Sequence, residues 1–170
     1  MRLILALLLF VTLNSTAQKP ESFVEVIKLP KGFKIELFAS EIENARSLAQ
    51  GPKGIIFVGS RGEGNVYAVV DNDGDWKADT TYVLASGLNM PNGVAYKNGD
   101  LYIAEVSRVS VMRNVCNDLA RPPKMETIRD DFPTDKHHSW KYIAFGPDGK
   151  LYVPVGAPCN ICLKEDERYA

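Results

Sequence analysis

The two histidines of this 170-residue chain, His137 and His138, are neighbours, and they are the first residues to examine for chemistry. Imidazole titrates close to neutral pH, so a positioned histidine can take a hydroxyl proton while hydride leaves the adjacent carbon. The plainer reading is a histidine hydrogen-bonded at the entry to a strand. Arg46 and Arg108 can hold a carboxylate, because a guanidinium presents paired N–H donors. Each reads equally well as a solvated arginine or as a partner of Glu105. Asn89 can donate to a sugar hydroxyl, or simply turn the chain ahead of Pro91.

Two further clusters suggest ligands of a different kind. Asp71, Asp73, Asp75 and Asp79 occupy positions 1, 3, 5 and 9 of a loop, as acidic residues do in a calcium-binding loop. Trp76 stands where that loop needs glycine and Tyr82 where it needs glutamate, so the choice is between a structural calcium and a solvated acidic turn. Cys159 and Cys162 form a CxxC followed by Leu163 rather than histidine, which excludes haem attachment. No second ligand pair is spaced for zinc, and no βαβ pattern supports a thioredoxin-like motif. A local disulfide is the preferred reading, with Cys116 left unpaired.

The elements that position these residues are strands. Residues 32–39 alternate apolar and polar, the period of a half-buried strand. A repeat follows, in which an apolar run, a glycine turn and a second apolar run recur. Its copies are residues 47–58, 93–104 and 142–153, and the turn glycines Gly54, Gly99 and Gly149 lie 45 and then 50 residues apart. That period is typical of propeller blades of four antiparallel strands. Residues 66–70 and 81–85 supply the outer strands of the first copy, and residues 109–112 and 125–128 those of the second. The chain therefore reads as an all-β propeller with about three blades, whereas propellers close with about 4–8. Strand alternation puts Arg46, Asn89, Asn92, His137 and His138, ahead of first strands, on one face with Arg61, Glu105, Arg108 and the CxxC, which follow second strands. The acidic loop joins third and fourth strands and falls on the other face.

Composition excludes some partners. A formal net charge of -1 offers no basic footprint for nucleic acid. Arg2, an apolar run at residues 3–13 and small residues at Ser15 and Ala17 form a signal-peptide pattern over residues 1–17, too short for the ~20 residues of a membrane span. Residues 18–170 are then an exported domain, periplasmic or secreted, with no stable membrane insertion once the signal is removed.

Asn44-Ala45-Arg46-Ser47-Leu48-Ala49, Gly87-Leu88-Asn89-Met90-Pro91-Asn92-Gly93-Val94-Ala95, Leu101-Tyr102-Ile103-Ala104-Glu105-Val106, His138-Ser139-Trp140-Lys141 and Val155-Gly156-Ala157-Pro158-Cys159-Asn160-Ile161-Cys162 together resemble the sorbosone dehydrogenase branch of the soluble PQQ-dependent glucose and sorbosone dehydrogenases. The resemblance covers the N-terminal half of such a protein. It implies a six-bladed propeller, pyrroloquinoline quinone (PQQ) on the axis with calcium beside it, and oxidation of a sugar or sugar-derived aldehyde. Electrons would pass on to an acceptor such as a cytochrome or a quinone, and this half alone would be inactive. In the related glucose dehydrogenases the base is a histidine eight residues before the glycine of the Gly-Pro-Asp turn. The resemblance thus implies His138 as base, His137 and Asn89 as substrate contacts, and Arg46 and Arg108 on the carboxylates of PQQ. The competing expectation is an exported propeller that binds a small ligand without catalysis or acts as a lactonase. A lactonase would need an axial metal held by carboxylate and asparagine, for which Glu105 is the one obvious carboxylate.

Overall fold

The structure, a computed structural model, describes residues 24, 26–162 and 165–169; the expected signal segment, residues 1–17, lies outside them. Among the described residues no helix is long and apolar enough to cross a membrane. The chain divides into two units, Met1–Leu37 and Phe38–Ala170. In the described part of the first unit, Phe33 N–H closes a turn on the Pro30 carbonyl at 3.2 Å, and exposed Lys34 pairs with Glu36 at 3.0 Å.

The second unit is built from antiparallel meanders. Strands β1 (Ala45–Gln50), β2 (Ile55–Ser60), β3 (Val66–Val70) and β4 (Thr80–Ala85) form one four-stranded sheet in that order. Strands β5 (Gly93–Lys97), β6 (Asp100–Ala104), β7 (Val109–Met112) and β8 (Glu126–Arg129) form the next, again in sequence order. β9 (Ala144–Phe145) and β10 (Leu151–Tyr152) make a hairpin closed by the turn at Gly146–Gly149. Central strands β2 and β3 are rich in β-branched residues and almost wholly buried, as strands covered on both faces should be.

Sheets stack face to face. Phe57, Val66, Ala68 and Leu84 of the first pack against Val94, Leu101, Ile103 and Met112 of the second, and Phe57 stacks on Tyr96 with ring centroids 5.3 Å apart. On its other face the second sheet offers Ala95, Ala104 and Val109 to Ile143, Phe145, Leu151 and Val153 of the hairpin region. Gly59 permits the close approach of the first two sheets, since a Cβ there would lie 2.5 Å from the carbonyl oxygens of both Pro91 and Asn92.

Two strand expectations differ from the structure. Residues 32–39 form no strand. Where alternation alone predicts a ladder, the Phe38 carbonyl accepts one backbone bond from Ala78, at 2.8 Å, and no partner strand continues it. The third hairpin is shorter than residues 142–153 suggest. Its register, Ala144 opposite Tyr152, would set Tyr142 opposite Pro154, which has no N–H to give a ladder.

Candidate active site

A left-handed residue precedes each sheet: Asn44 (φ 54°) directly ahead of β1, Met90 (φ 52°) three residues ahead of β5 and His138 (φ 53°) six residues ahead of β9. Asparagine tolerates this region; for methionine and histidine it costs on the order of 1–2 kcal/mol, so the surrounding structure must hold them there. Beyond the first kink, β1 carries a bulge between Ala45 and Leu48. A bulge re-aims side chains, and here Ser47 is buried while Arg46 is exposed.

One amide ties the three entries together. Asn92, 5% exposed, donates from Nδ2 to the Lys141 carbonyl at 2.7 Å and to Ser47 Oγ at 3.3 Å. Ser47 and Asn92 each lie seven residues before the turn glycine of their repeat and Lys141 eight, so repeat position pairs Ser47 with Asn92 but points to Tyr142, one residue past Lys141, in the third repeat. Lys141 is 2% exposed. Its ammonium donates to the Ser139 carbonyl at 3.4 Å and lies 5.0 Å from the centre of the Phe132 ring. Burial without a carboxylate partner pushes its pKa down.

Arg46, Ser47, Asn92, Trp140, Tyr142 and Pro154 line a recess of about 380 Å³. Arg61 lies over the Trp140 ring, 4.0 Å from its centre, within cation–π range. Arg46 has no ion-pair or hydrogen-bond partner among the described residues, and no carboxylate lines the recess. That donor set suits a flat anionic ligand.

The histidines stand together with ring centroids 3.8 Å apart. His137 Nδ1–H donates to the Pro158 carbonyl and His138 Nδ1–H to the Ala157 carbonyl, both at 3.2 Å. A carbonyl oxygen only accepts, so Nδ1 carries the proton, and in the neutral ring Nε2 keeps the lone pair. The loop that supplies these carbonyls packs directly on His138. A Cβ at Gly156 would overlap the His138 carbonyl oxygen, so only glycine fits. Cys159 and Cys162 form a disulfide with Cα atoms 5.7 Å apart, and Cys116 is free.

Other sequence candidates have different surroundings. Arg108 is engaged by Glu105, which is 2% exposed: Nε bonds Oε2, and Nη2 bonds Oε1 at 3.1 Å. This pairing raises the guanidinium pKa further and leaves Arg108 committed to Glu105, where a cofactor carboxylate had been expected. The same carboxylate accepts the Asn89 backbone N–H at 2.7 Å. It is therefore also not free to hold an axial metal. The Asn89 side chain stays exposed.

In the β3–β4 loop, Asp71, Asp73 and Asp79 bring carboxylate oxygens within 4.8 Å of one another, without Asp75. Those oxygens already accept loop amides: Asp71 from Gly74 at 2.7 Å and Trp76 at 3.1 Å, and Asp79 from Asn72 at 2.7 Å. Among the described residues this is the one such group, and it lies on the opposite face from the strand entries. Among the described residues no comparable cluster of acidic, histidine or cysteine side chains stands beside the recess.

Comparison with solved structures identifies the fold as part of a β-propeller. The PQQ domain of pyranose dehydrogenase from Coprinopsis cinerea, in its holo form, superposes with a TM-score of 0.67 at 12% identity, over 79% of this chain and 33% of that one. The PQQ-bound aldose sugar dehydrogenase of Streptomyces coelicolor gives 0.54 at 22% identity, over 72% and 40%. An uncharacterized protein of Borreliella burgdorferi is 30% identical over 134 residues, 78% of this chain and 31% of its own length. The chain thus spans about a third of the length of these proteins. Residues 19–168 match the family model described as Domain of unknown function (DUF7133). That match takes in both sheets, the histidine pair and the disulfide loop, and the chain belongs to the DUF7133 family.

Proposed function

We propose that this chain is the N-terminal part of an exported quinoprotein dehydrogenase of the sorbosone type, which oxidises a sugar or a sugar-derived aldehyde hydrate with PQQ as hydride acceptor. The observation that carries the reading is His138: a strained residue at a strand entry, with Nδ1 bonded to the Ala157 carbonyl and Nε2 left as a base. When bound, the quinone supplies the two-electron acceptor that no side chain can provide. Arg46 would pair with its carboxylates, and Arg61 on Trp140 would add positive charge at the edge of the same recess. Nε2 of His138 takes the hydroxyl proton as hydride leaves carbon. His137 holds the second imidazole edge toward substrate, and exposed Asn89 is placed to donate to a sugar hydroxyl. Calcium beside the cofactor would need ligands beyond those described. Glu105, the one obvious carboxylate on that face in this part of the propeller, is engaged by Arg108, which counts against the lactonase alternative.

The test is His138→Ala beside His137→Ala in the full-length enzyme, with PQQ binding followed by absorbance. Removing the general base should lower turnover about 10²–10⁴-fold while PQQ binding persists, and His137→Ala should be milder. Wild-type turnover in His138→Ala, or a larger loss in His137→Ala, would overturn the assignment.

A further inference from the structure

We infer that Gly156 and Pro158 are positioning residues for the histidine pair: the glycine seats its loop on the backbone of His138, and the proline aims two carbonyls that keep the proton of both rings on Nδ1. A Cβ on Gly156 would lie 1.9 Å from the His138 carbonyl oxygen, 2.9 Å from its carbonyl carbon and 3.1 Å from its Cβ. The φ of Gly156 is not left-handed, so glycine is required here for space and not for backbone conformation. Immediately after this contact, Ala157 and Pro158 present their carbonyls to His138 and His137, both at 3.2 Å. Proline locks its own φ and confines the residue before it to extended backbone. Little rotation is therefore left to turn either carbonyl away while the glycine is seated.

The two sides of this contact are not equally free to move. Beside His138, Ser139 is buried and its Oγ donates to the Lys136 carbonyl at 2.8 Å, a bond that brackets both histidines. Buried Lys141 is held through its carbonyl by Asn92 at 2.7 Å. On the loop side, among the described residues, no backbone bond ties residues 154–158 to a neighbouring element, and Ala157 is exposed. A methyl group on Gly156 therefore displaces the loop and leaves His138 in place. A Cβ is essentially never closer than 3.0 Å to such an atom, so from 1.9 Å the loop retreats by about 1 Å. A retreat of that size takes hydrogen bonds of 3.2 Å out of range. A neutral imidazole freed from its acceptor interconverts between Nδ1–H and Nε2–H forms, and only the first leaves Nε2 able to accept a proton. The role of Nε2 in catalysis rests on the function proposed above; the seating of the loop and the tautomers do not.

The experiment is long-range ¹H–¹⁵N correlation of the histidine-labelled full-length enzyme, with each ring assigned by the loss of its signals in His137→Gln or His138→Gln. Wild type should show Nδ1–H in both rings. So should Gly62→Ala, whose added Cβ would meet nothing nearer than 3.4 Å. Gly156→Ala should show both forms in both rings, with the methyl spectrum of the sheets unchanged. Pro158→Gly adds no atom against His138 and frees both carbonyls to turn. It should show the same mixing, and it carries the test if Gly156→Ala does not fold. Nδ1–H alone in either folded variant overturns the inference, as do mixed forms in wild type. In the PQQ-loaded enzyme, Gly156→Ala should lower kcat about 10²-fold with KM little changed, the scale of a misplacement of about 1 Å. If the tautomers mix but kcat does not fall, the positioning role stands and the assignment of His138 as base falls.

Discussion

Exchanging the Asn92 amide for a carboxyl is an almost isosteric change, and its effect follows from the two acceptor atoms beside it. In wild type the Nδ2 group donates to the Lys141 carbonyl at 2.7 Å and to Ser47 Oγ at 3.3 Å, at a site 5% exposed. Asn92→Ala deletes both bonds, which at about 0.5–1.5 kcal/mol each costs about 1–3 kcal/mol. Asn92→Asp deletes them too, sets an oxygen against the carbonyl it formerly bonded and buries a charge, adding about 1–3 kcal/mol at pH 7. The extra loss depends on pH. Burial against an acceptor raises the folded pKa of the introduced carboxyl above its unfolded value of about 3.9. Its favourable protonated form is therefore fully present below that value and lost as pH rises through the folded pKa. Urea denaturation of the full chain, followed by tryptophan fluorescence at pH 4 and pH 7, should show Asn92→Asp below Asn92→Ala at pH 7 and close to it or above at pH 4. Equal stabilities at pH 7, or a gap that ignores pH, would refute the idea that one donor bridges the three repeats.

Further expectations concern the buried charges. Lys141→Met should raise stability at pH 7 by about 1 kcal/mol, because a buried ammonium with no carboxylate partner among the described residues costs more than its long bond to the Ser139 carbonyl and its cation–π contact with Phe132 return; a loss in urea denaturation would contradict this. The Lys141 pKa is lowered on folding, so the unfolded chain binds the extra proton between that value and about 10.4. Wild-type stability should accordingly gain with rising pH across that window relative to Lys141→Met. Arg108→Ala should cost about 1–3 kcal/mol by leaving Glu105 without its counter-ion, discounted because Arg108 is partly exposed. Adding Glu105→Gln should recover most of the loss, measured as a double-mutant cycle in the same assay.

How much could be read from the chain depends on whether the relevant partners are near or far in sequence. The isoleucine and valine runs of β2 and β3 and the turn glycines carry their own signal, so the repeats and most strand limits are visible. Residues 32–39 alternate just as clearly yet have no ladder, because alternation reports a pleat and not a partner. The shortening of β9 and β10 is legible only once Pro154 is set opposite Tyr142, which requires the register. Arg108 and Glu105, three apart, could be foreseen as a pair. The carbonyls of Ala157 and Pro158 lie 19 and 21 residues from the histidines they bond, and nothing local in the sequence announces that return. Asn92 could have been recognised as the counterpart of Ser47, since both lie seven residues before their turn glycines, whereas the Lys141 carbonyl lies one residue off that offset.

The amide that spans the three entries also has a chemical lifetime. Asn92 is followed by Gly93, and Asn98 by Gly99, the dipeptide in which a following backbone nitrogen, unhindered by a side chain, attacks an asparagine amide most readily. Asn98 sits exposed in a turn, where conversion to an acid touches nothing else. Asn92 is dry and held by two acceptors, which slows the attack while the fold is intact. Each opening of the sheet entries removes that protection, and conversion there would write into the backbone the same oxygen-for-nitrogen exchange that weakens the junction and makes the next opening easier. Exposed Asn98 would convert first and without consequence; the conversion that costs stability is the later one at Asn92, the residue on which all three repeats converge.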